Sequence, residues 1–326
     1  MINMLTIIIP FYNTSKKIYP CLNFISQLDK NFFEVLFIND GSIDDTEEII
    51  NNYLLNKSSS INFKIINKEN GGVSSARNLG IQHANNKYVM FLDADDTINR
   101  CFPSILREIV NDLEFEMMIF NYQSILPSDA NSFHEKNLNK ACIKLTEINH
   151  QSFIDDYISG NYINKIHVCS IIFDRKKILE HTILFQENLA YGEDQLFLIT
   201  CLSKMNFYYI DIPILGYIKD TEFSAMGKVS DKRLKIIDLY NQFKNLTQKN
   251  DVKNKLRDRI DFELLIISKI NFKHLNIFNS FIFFKKSIYP KVKNGNYGKN
   301  NKEFKMLLNA PFIYIMTYKL YRFFTK

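Results

Sequence analysis

Short runs rich in apolar residues are separated by stretches with helical spacing. Leu5-Thr6-Ile7-Ile8-Ile9-Pro10, Phe33–Asn39, Ile61–Ile66 and Tyr88–Leu92 are such runs and read as strands, the second carrying Glu34 and the third Asn62 and Lys64. Hydrophobicity without a break, as in Tyr88–Leu92, predicts a strand buried on both faces, as in a parallel sheet. Between them, Thr14 or Ser15 can cap a helix to about Leu28, and Asp44 or Asp45 a second with Ile49, Ile50 and Leu54. Ser74–His83 reads as a third helix, carrying Ala76, Leu79 and Ile81. Alternation at this interval predicts right-handed βαβ units. Beyond them, Pro103 suits the first turn of a helix to about Asp112. Met117–Tyr122 and Val168–Phe173 read as strands, Lys176 starts a short helix, Gln195–Lys204 is a helix and Phe207–Ile210 a short strand. Residues 123–147 are polar and poorly patterned, an expected insertion or hairpin. From about Lys228 the pattern is helical to the end, broken at Asn294–Gly298.

The fourth run ends in Asp93-Ala94-Asp95-Asp96. Open α/β sheets bind ligands at the carboxyl ends of their strands. Three acids this close repel one another unless a cation sits among them, and hard oxygens suit Mg2+ or Mn2+. Asp is also a turn residue, so an acidic turn fits the same spacing. Three more loops leave strands at that end: Pro10-Phe11-Tyr12-Asn13, Asn39-Asp40-Gly41-Ser42 and Glu69-Asn70-Gly71-Gly72. Each reads as turn chemistry alone. Together they supply a ring, a carboxylate, glycines for close backbone approach and a metal site, which suits a nucleoside diphosphate. No GxGxxG follows the first strand and no GxxxxGK[ST] occurs, which argues against nicotinamide cofactors and P-loop chemistry.

The 326 residues, 46% hydrophobic, allow one large α/β domain and a smaller appendage. The five cysteines, Cys21, Cys101, Cys142, Cys169 and Cys201, form no CxxC pair, which argues against zinc and disulfide frameworks and fits a reducing cytoplasm. Met1–Leu5 has no basic signal-peptide start, and no apolar run approaches the roughly 18 residues of a membrane span. The net charge of +6 hides an asymmetry. Asn271–Lys326 carries eleven Lys or Arg against Glu303 alone, so that segment is +10 and the remainder −4.

Taken in order, five motifs resemble the inverting family 2 glycosyltransferases over roughly residues 4–220. They are Ile7–Asn13, Ile38–Thr46, Asn70–Gly80, Phe91–Asp96 and Gly192-Glu193-Asp194. The resemblance implies a GT-A fold, a Rossmann-like and mostly parallel sheet flanked by helices, with a C-terminal helical extension. It implies a catalytic domain over 1–220, with its nucleotide half at about 1–100 and its acceptor half at about 101–220, followed by a basic, aromatic-rich region over 221–326. Pro10, Phe11, Tyr12 and Asn13 would border the base, and Asp40 would accept the uracil N3–H. Gly71 and Arg77 would reach the nucleotide or its phosphates. Asp93-Ala94-Asp95 matches the DxD motif, with Asp93 near the ribose and, with Asp95, on a divalent cation. Glu193-Asp194 matches the ED motif, with Asp194 as catalytic base and Glu193 in support. The donor would be a UDP-sugar and the acceptor a glycan or lipid-linked glycan of a capsule, lipopolysaccharide or similar polymer. On the residues alone, Asp194 also reads as a helix N-terminal acid stabilised by the dipole. A nucleotidyltransferase and a non-catalytic sugar-nucleotide-binding protein are the alternatives.

Two features depart from that pattern. Where the family often has Tyr-x-Arg and then a Ser-rich stretch, this chain has Tyr217-Ile218-Lys219 and Ser224-Ala225-Met226. Lys219 keeps a charge for the diphosphate without a bidentate fork, or is simply solvated. His167 and Cys169 face an acceptor or pack in the core. Phe281–Lys286 and Pro311–Phe324 mix aromatics with basic residues, and Lys319, Arg322 and Lys326 fall on one helical face. This suits a helix on an anionic membrane surface, hence a peripheral place on the inner face of the cytoplasmic membrane. A helical bundle with solvated lysines is the competing expectation. Nucleic acid is not expected, because no nucleic-acid-binding motif accompanies the charge.

Overall fold

The computed structural model describes residues 4–56, 61–138, 150–159, 166–189, 191–219, 234–274, 276–289 and 302–324. The chain forms two compact units. The first comprises Met1–Ile154, Tyr162–Asn188 and Glu193–Glu222; the second comprises Asp155–Asn161, Leu189–Gly192 and Phe223–Lys326.

The first unit opens with β1 (Leu5–Phe11), α1 (Tyr19–Ile25), β2 (Phe33–Asn39), α2 (Thr46–Asn56), β3 (Asn62–Asn67), α3 (Val73–His83) and β4 (Tyr88–Phe91). Every residue of β1 is buried. It lies parallel between β2 and β4, with Ile7 opposite both Val35 and Met90. An unbroken apolar run is what such a position requires, because neither face meets water. β3 instead exposes Asn62, Lys64 and Asn67, as suits an edge strand. Then follow β5 (Thr97–Ile98), α4 (Phe102–Asp112), β6 (Met117–Ile125), α5 (Ala130–Glu135), α6 (His150–Ser159, whose residues from Asp155 on are counted with the second unit), β7 (Ile171–Asp174), α7 (Arg175–Glu180), α8 (Glu193–Lys204) and β8 (Phe207–Ile218).

The eight strands form one sheet in the order β3-β2-β1-β4-β7-β6-β8-β5. The expected α/β architecture is present, with a mixed sheet. β7 runs antiparallel to both β4 and β6, and β5 antiparallel to β8. β8 has twelve residues where the apolar run marks four, because Asp211 and Pro213 interrupt the run. A register irregularity at Phe120–Tyr122 of β6 accommodates that stretch. α1 begins at Tyr19, with Pro20 in its first turn, rather than at Thr14. The amides of residues 13–15 are already committed to side chains that follow β2. α5 lies in the stretch 123–147 where the sequence shows no clear pattern, and residues 139–147 fall outside the described ones.

The second unit contains α9 (Lys235–Phe243), α10 (Asn250–His274), α11 (Ile277–Phe283), α12 (Lys302–Asn309) and α13 (Pro311–Phe324). α10 buries Leu256, Ile260, Leu264 and Ile267 at helical spacing. Lys319, expected on a basic outer face, instead donates to the Phe272 carbonyl at 2.7 Å. The side chains of Arg322 and Phe323, and Lys326, Asn294–Gly298 and Ser224–Met226 altogether, lie outside the described residues.

α3 sits tightly on β1. A Cβ at Gly80 would overlap the Ile8 Cγ2 methyl in the middle of the sheet. Ala normally favours a helix interior by about 1 kcal/mol over Gly. Here Gly80→Ala is expected to destabilise by about 1–3 kcal/mol, through overpacking. Urea unfolding checks this, and Gly80→Ala should cost less in an Ile8→Ala chain than in the wild type, because the clashing methyl is gone.

Candidate functional site

The loops at the carboxyl ends of β1 and β2 are tied together by side chains of the second motif. Ser42 Oγ accepts from the Asn13 amide, Thr46 Oγ1 from the Thr14 amide and Asp44 Oδ2 from the Ser15 amide. Asn13 Oδ1 accepts from the Ile43 amide in return, with Asn13 at φ 49°. Burial opposes ionisation of Asp44, but its bonds from Thr46 and Ser15 prevail and lower its pKa. Pro10 and Phe11 are buried, and Phe11 meets Phe37 edge to face at 6.4 Å. Tyr12 is 49% exposed and is the ring of this loop that a ligand can reach.

Asp40 is buried and organises the neighbouring loop. Its Oδ1 accepts from Lys68 Nζ at 2.6 Å and the Gly71 amide at 2.9 Å, and its Oδ2 from the Gly72 amide at 2.8 Å. Its carbonyl accepts from Asn70 Nδ2. A carboxylate has about four lone-pair directions, so Oδ2 retains one for a further donor.

Arg77 of α3 is the hub. Its side chain is 2% exposed and ion-pairs with two acids distant in sequence. Nη1 donates to Asp194 Oδ1 at 2.5 Å and Nη2 to Asp93 Oδ1 at 2.8 Å. Burial works against the guanidinium charge, but Asp194 and Asp93 outweigh it and raise the Arg77 pKa. The guanidinium lies 5.1 Å from the Phe185 ring centroid, and Phe185 stacks on Phe197 of α8 at 3.9 Å. Asn78, the next residue, fixes Phe185 by exchanging hydrogen bonds with its amide and carbonyl, both 2.9 Å.

Asp93–Asp96 is a tight turn closed by the Asp96 amide on the Asp93 carbonyl at 3.0 Å. Burial pushes the Asp93 pKa up, but Arg77 and then His167 more than offset this and hold it below the ordinary carboxylate range. The Cys169 thiol acts on Asp93 in the same direction. Asp96 is 1% exposed and accepts from the Ile218 amide at 2.8 Å, which ties the end of β8 to the turn. Its Oδ2 has no partner, and burial, then Asp93 and Asp95, push its pKa well up. His167 precedes β7. Its Nδ1 accepts from the Cys169 amide, and burial lowers its pKa despite the attraction of Asp93 and Asp194.

The structure therefore brings Arg77, Asp93, Asp194, His167 and Cys169 together. Ala94 is buried within the turn, and Asp95 is half-buried beside it. Among the described residues no three His, Cys, Asp or Glu side chains are arranged around a common metal position. The hard oxygens of Asp93 and Asp95 nonetheless fit a divalent cation that completes its shell with phosphate oxygens and water. Lys219 is exposed at the end of β8 and lines a cavity of about 340 Å³ with Gln123, Leu126, Phe133 and Lys136. Sequence reasoning gave no separate role to Asp96 or Asn78. Only their adjacency to Asp95 and Arg77 could have drawn attention to them.

The family model described as glycosyl transferase family 2 matches residues 6–181. A stretch of 204 residues, 63% of this chain, is 28% identical to 26% of the teichoic acid poly(glycerol phosphate) polymerase of Staphylococcus epidermidis. A stretch covering 41% of this chain is 27% identical to 44% of the glycosyltransferase GlyG of Streptococcus pneumoniae. The chain thus spans less than half the length of these curated relatives. The crystal structure of S. aureus TarS 1–349 in complex with UDP-GlcNAc aligns with a TM-score of 0.57 at 21% identity, covering 96% of this chain and 81% of that one. The mannosyltransferase PcManGT of Pyrobaculum calidifontis, in complex with GDP-Man and Mn2+, aligns at 0.55 and 13% identity over 100% of this chain and 88% of its own. These alignments establish the fold, a GT-A one.

Glu193 opens α8, directly after Gly192, whose φ of 83° turns the chain into the helix. Burial first, and Asp194 second, push the Glu193 carboxyl from 4.5 up to about 7. A carboxyl raised by folding costs stability as pH climbs from the unfolded value to the folded one. Glu193→Gln removes that cost. In metal-free buffer the variant should gain Tm over wild type progressively between pH 4.5 and 7, with the gain level above that. A difference that does not vary with pH would place the Glu193 carboxyl in water.

Proposed function

The chain belongs to glycosyl transferase family 2, and we propose that it moves a sugar from a UDP-linked hexose or N-acetylhexosamine to a hydroxyl of a growing surface glycan. The displacement is single and inverts the anomeric carbon, and the first compact unit carries it. The observation behind this reading is the one buried guanidinium that gathers Asp93 of the DxD turn and Asp194 of the ED pair. Support for the donor class comes from UDP-GlcNAc in TarS and GDP-Man in PcManGT, and support for the polymer from the teichoic acid relative.

In this reading the open lone pair of Asp40 Oδ2 accepts the uracil N3–H, and Tyr12 lies against the base beside Pro10, Phe11 and Asn13. Gly71 offers close backbone approach to the nucleotide, and Asp93 takes the ribose side. Asp95, with Asp93, holds Mn2+ or Mg2+, which when bound supplies positive charge where the leaving diphosphate develops negative charge. Lys219 adds a charge for the diphosphate. Arg77 fixes Asp194 through Oδ1 and leaves Oδ2 to take the acceptor proton as the new bond forms. Glu193 supports it from the adjacent position.

Asp194→Asn should retain UDP binding and lose roughly 10²–10⁴-fold in transfer, the usual range for a general base. Asp95→Ala should lose transfer together with metal-dependent UDP binding. Release of UDP from UDP-Gal, UDP-Glc, UDP-GlcNAc and UDP-GalNAc, with and without EDTA, reads both. Full activity in EDTA would sink the cation, and label from the uridine moiety in the product would indicate nucleotidyl transfer instead.

We further propose that the second unit docks on the anionic inner face of the cytoplasmic membrane. No described helix is long and apolar enough to cross a membrane. Phe278, Phe312 and Ile313 are exposed, and the Phe281 and Phe312 rings meet at 6.2 Å, joining α11 to α13. Lys285 lies over the Phe281 and Tyr289 rings. Apolar side chains beside cations suit a headgroup boundary, where each basic residue contributes about 1 kcal/mol. The full chain should float with anionic liposomes at low salt and less at high salt, and Phe278→Glu/Phe312→Glu should stay in the soluble fraction. A wild-type chain that stays soluble at low salt removes the membrane role.

A further inference from the structure

Three aromatic side chains converge beside the carboxylates and have no part in the scheme above. Tyr122 of β6, His167 before β7 and Tyr217 of β8 form a triangle, with ring centroids 5.7, 6.1 and 5.4 Å apart. All three are half-buried. Two of them face the reactive groups. The Tyr217 phenol is pushed up to about 12 by burial and then by Asp96, Asp93 and Asp95. His167 lies within the fields of Asp93 and Asp194. With Nδ1 accepting from the Cys169 amide, its Nε2 carries the proton and is the donor left for a ligand.

Their origin in the sheet separates them from the nucleotide loops. Those loops leave β1, β2, β3 and β4, whereas the triangle stands on β6, β8 and the entry to β7, beyond β4 in the strand order. We propose that Tyr122, His167 and Tyr217 form the acceptor subsite, and that it takes a neutral pyranose ring rather than a polyol phosphate. This rests on the transferase reading above.

Chemistry favours the neutral sugar on two counts. Aromatic faces carry partial negative charge and receive the C–H face of a pyranose, while Tyr and His tips reach its hydroxyls. The surroundings are also acidic. Asp93, Asp95 and Asp96 act on Tyr217 and Asp93 and Asp194 on His167, and the Arg77 charge is already shared between Asp93 and Asp194. A chain of phosphodiesters would meet like charge at close range, which costs affinity. A neutral ring does not, and one of its hydroxyls can reach Asp194 Oδ2.

Saturation-transfer NMR on the full chain tests this directly. The probes are the methyl glycosides of glucose, galactose, N-acetylglucosamine and N-acetylgalactosamine, alongside a glycerol phosphate oligomer. Saturation of pyranoside C–H protons is expected for at least one methyl glycoside, and none for the oligomer. Tyr217→Leu and Tyr122→Leu should each weaken that signal about fivefold or more, the scale of one lost ring contact, whereas Tyr217→Phe should keep it. Binding of the oligomer alone overturns the proposal, as does an undiminished pyranoside signal in both Leu variants. If either Leu variant unfolds, the wild-type panel and Tyr217→Phe still decide it. UDP titrations of the wild type by calorimetry test the transferase reading separately. Pyranoside binding without UDP binding would fail that reading and leave the subsite standing.

Discussion

A guanidinium withdrawn from water must find compensating charge, and Arg77 is 2% exposed. That requirement shapes the site. Arg77 reaches Asp93 at the end of β4 and Asp194 in the first turn of α8, a residue 117 positions away. The aromatic floor of Phe185 and Phe197 lies beneath it, and Asn78 sets the position of Phe185. One ion-pair cluster thus joins the nucleotide half of the sheet to the helix bearing the proposed base. Losing either acid would leave a charge under-compensated in a low-dielectric pocket, so the cluster carries fold and site together.

The motif after β2 shows how structural and chemical roles share residues. Ser42, Asp44 and Thr46 spend their side chains on the amides of residues 13–15. Asp40 spends most of its capacity on Lys68, Gly71 and Gly72. Much of what looks like ligand chemistry in these loops is therefore preorganisation. The backbone is held in place before any ligand arrives, and little of the binding energy is lost to ordering it.

The strands β1, β2 and β4 were legible because a strand buried on both faces has only one way to look in sequence, and β3 because its apolar and polar residues alternate as an edge strand requires. The five ordered motifs likewise made the family legible. The second half was less so. β7 is short and antiparallel, and nothing in its apolar residues encodes strand direction. β8 carries Asp211 and Pro213 inside it, tolerable where the ladder with β6 is irregular but disguising the strand. α1 starts late because distant side chains claim the amides that would have opened it. Lys319 looked like surface charge and serves a buried-end carbonyl instead. Long-range partners decided each of these, and a local window of sequence does not contain them. The same holds for Asp96, whose contact with the Ile218 amide spans 122 positions.

The shared guanidinium also has a consequence for how this chain can drift over generations. Residues that compensate one buried charge have non-additive effects. An acid lost at 93 or 194 makes Arg77 a burden on the remaining one, and an arginine lost at 77 leaves two carboxylates without the cation that brought them together. Neutral wandering at any one of the three positions is therefore blocked by the other two. Descendants of this sequence that abandon sugar transfer should lose the three as a set, while Tyr12 and Lys219, exposed and tied to no such cluster, remain free to change one at a time.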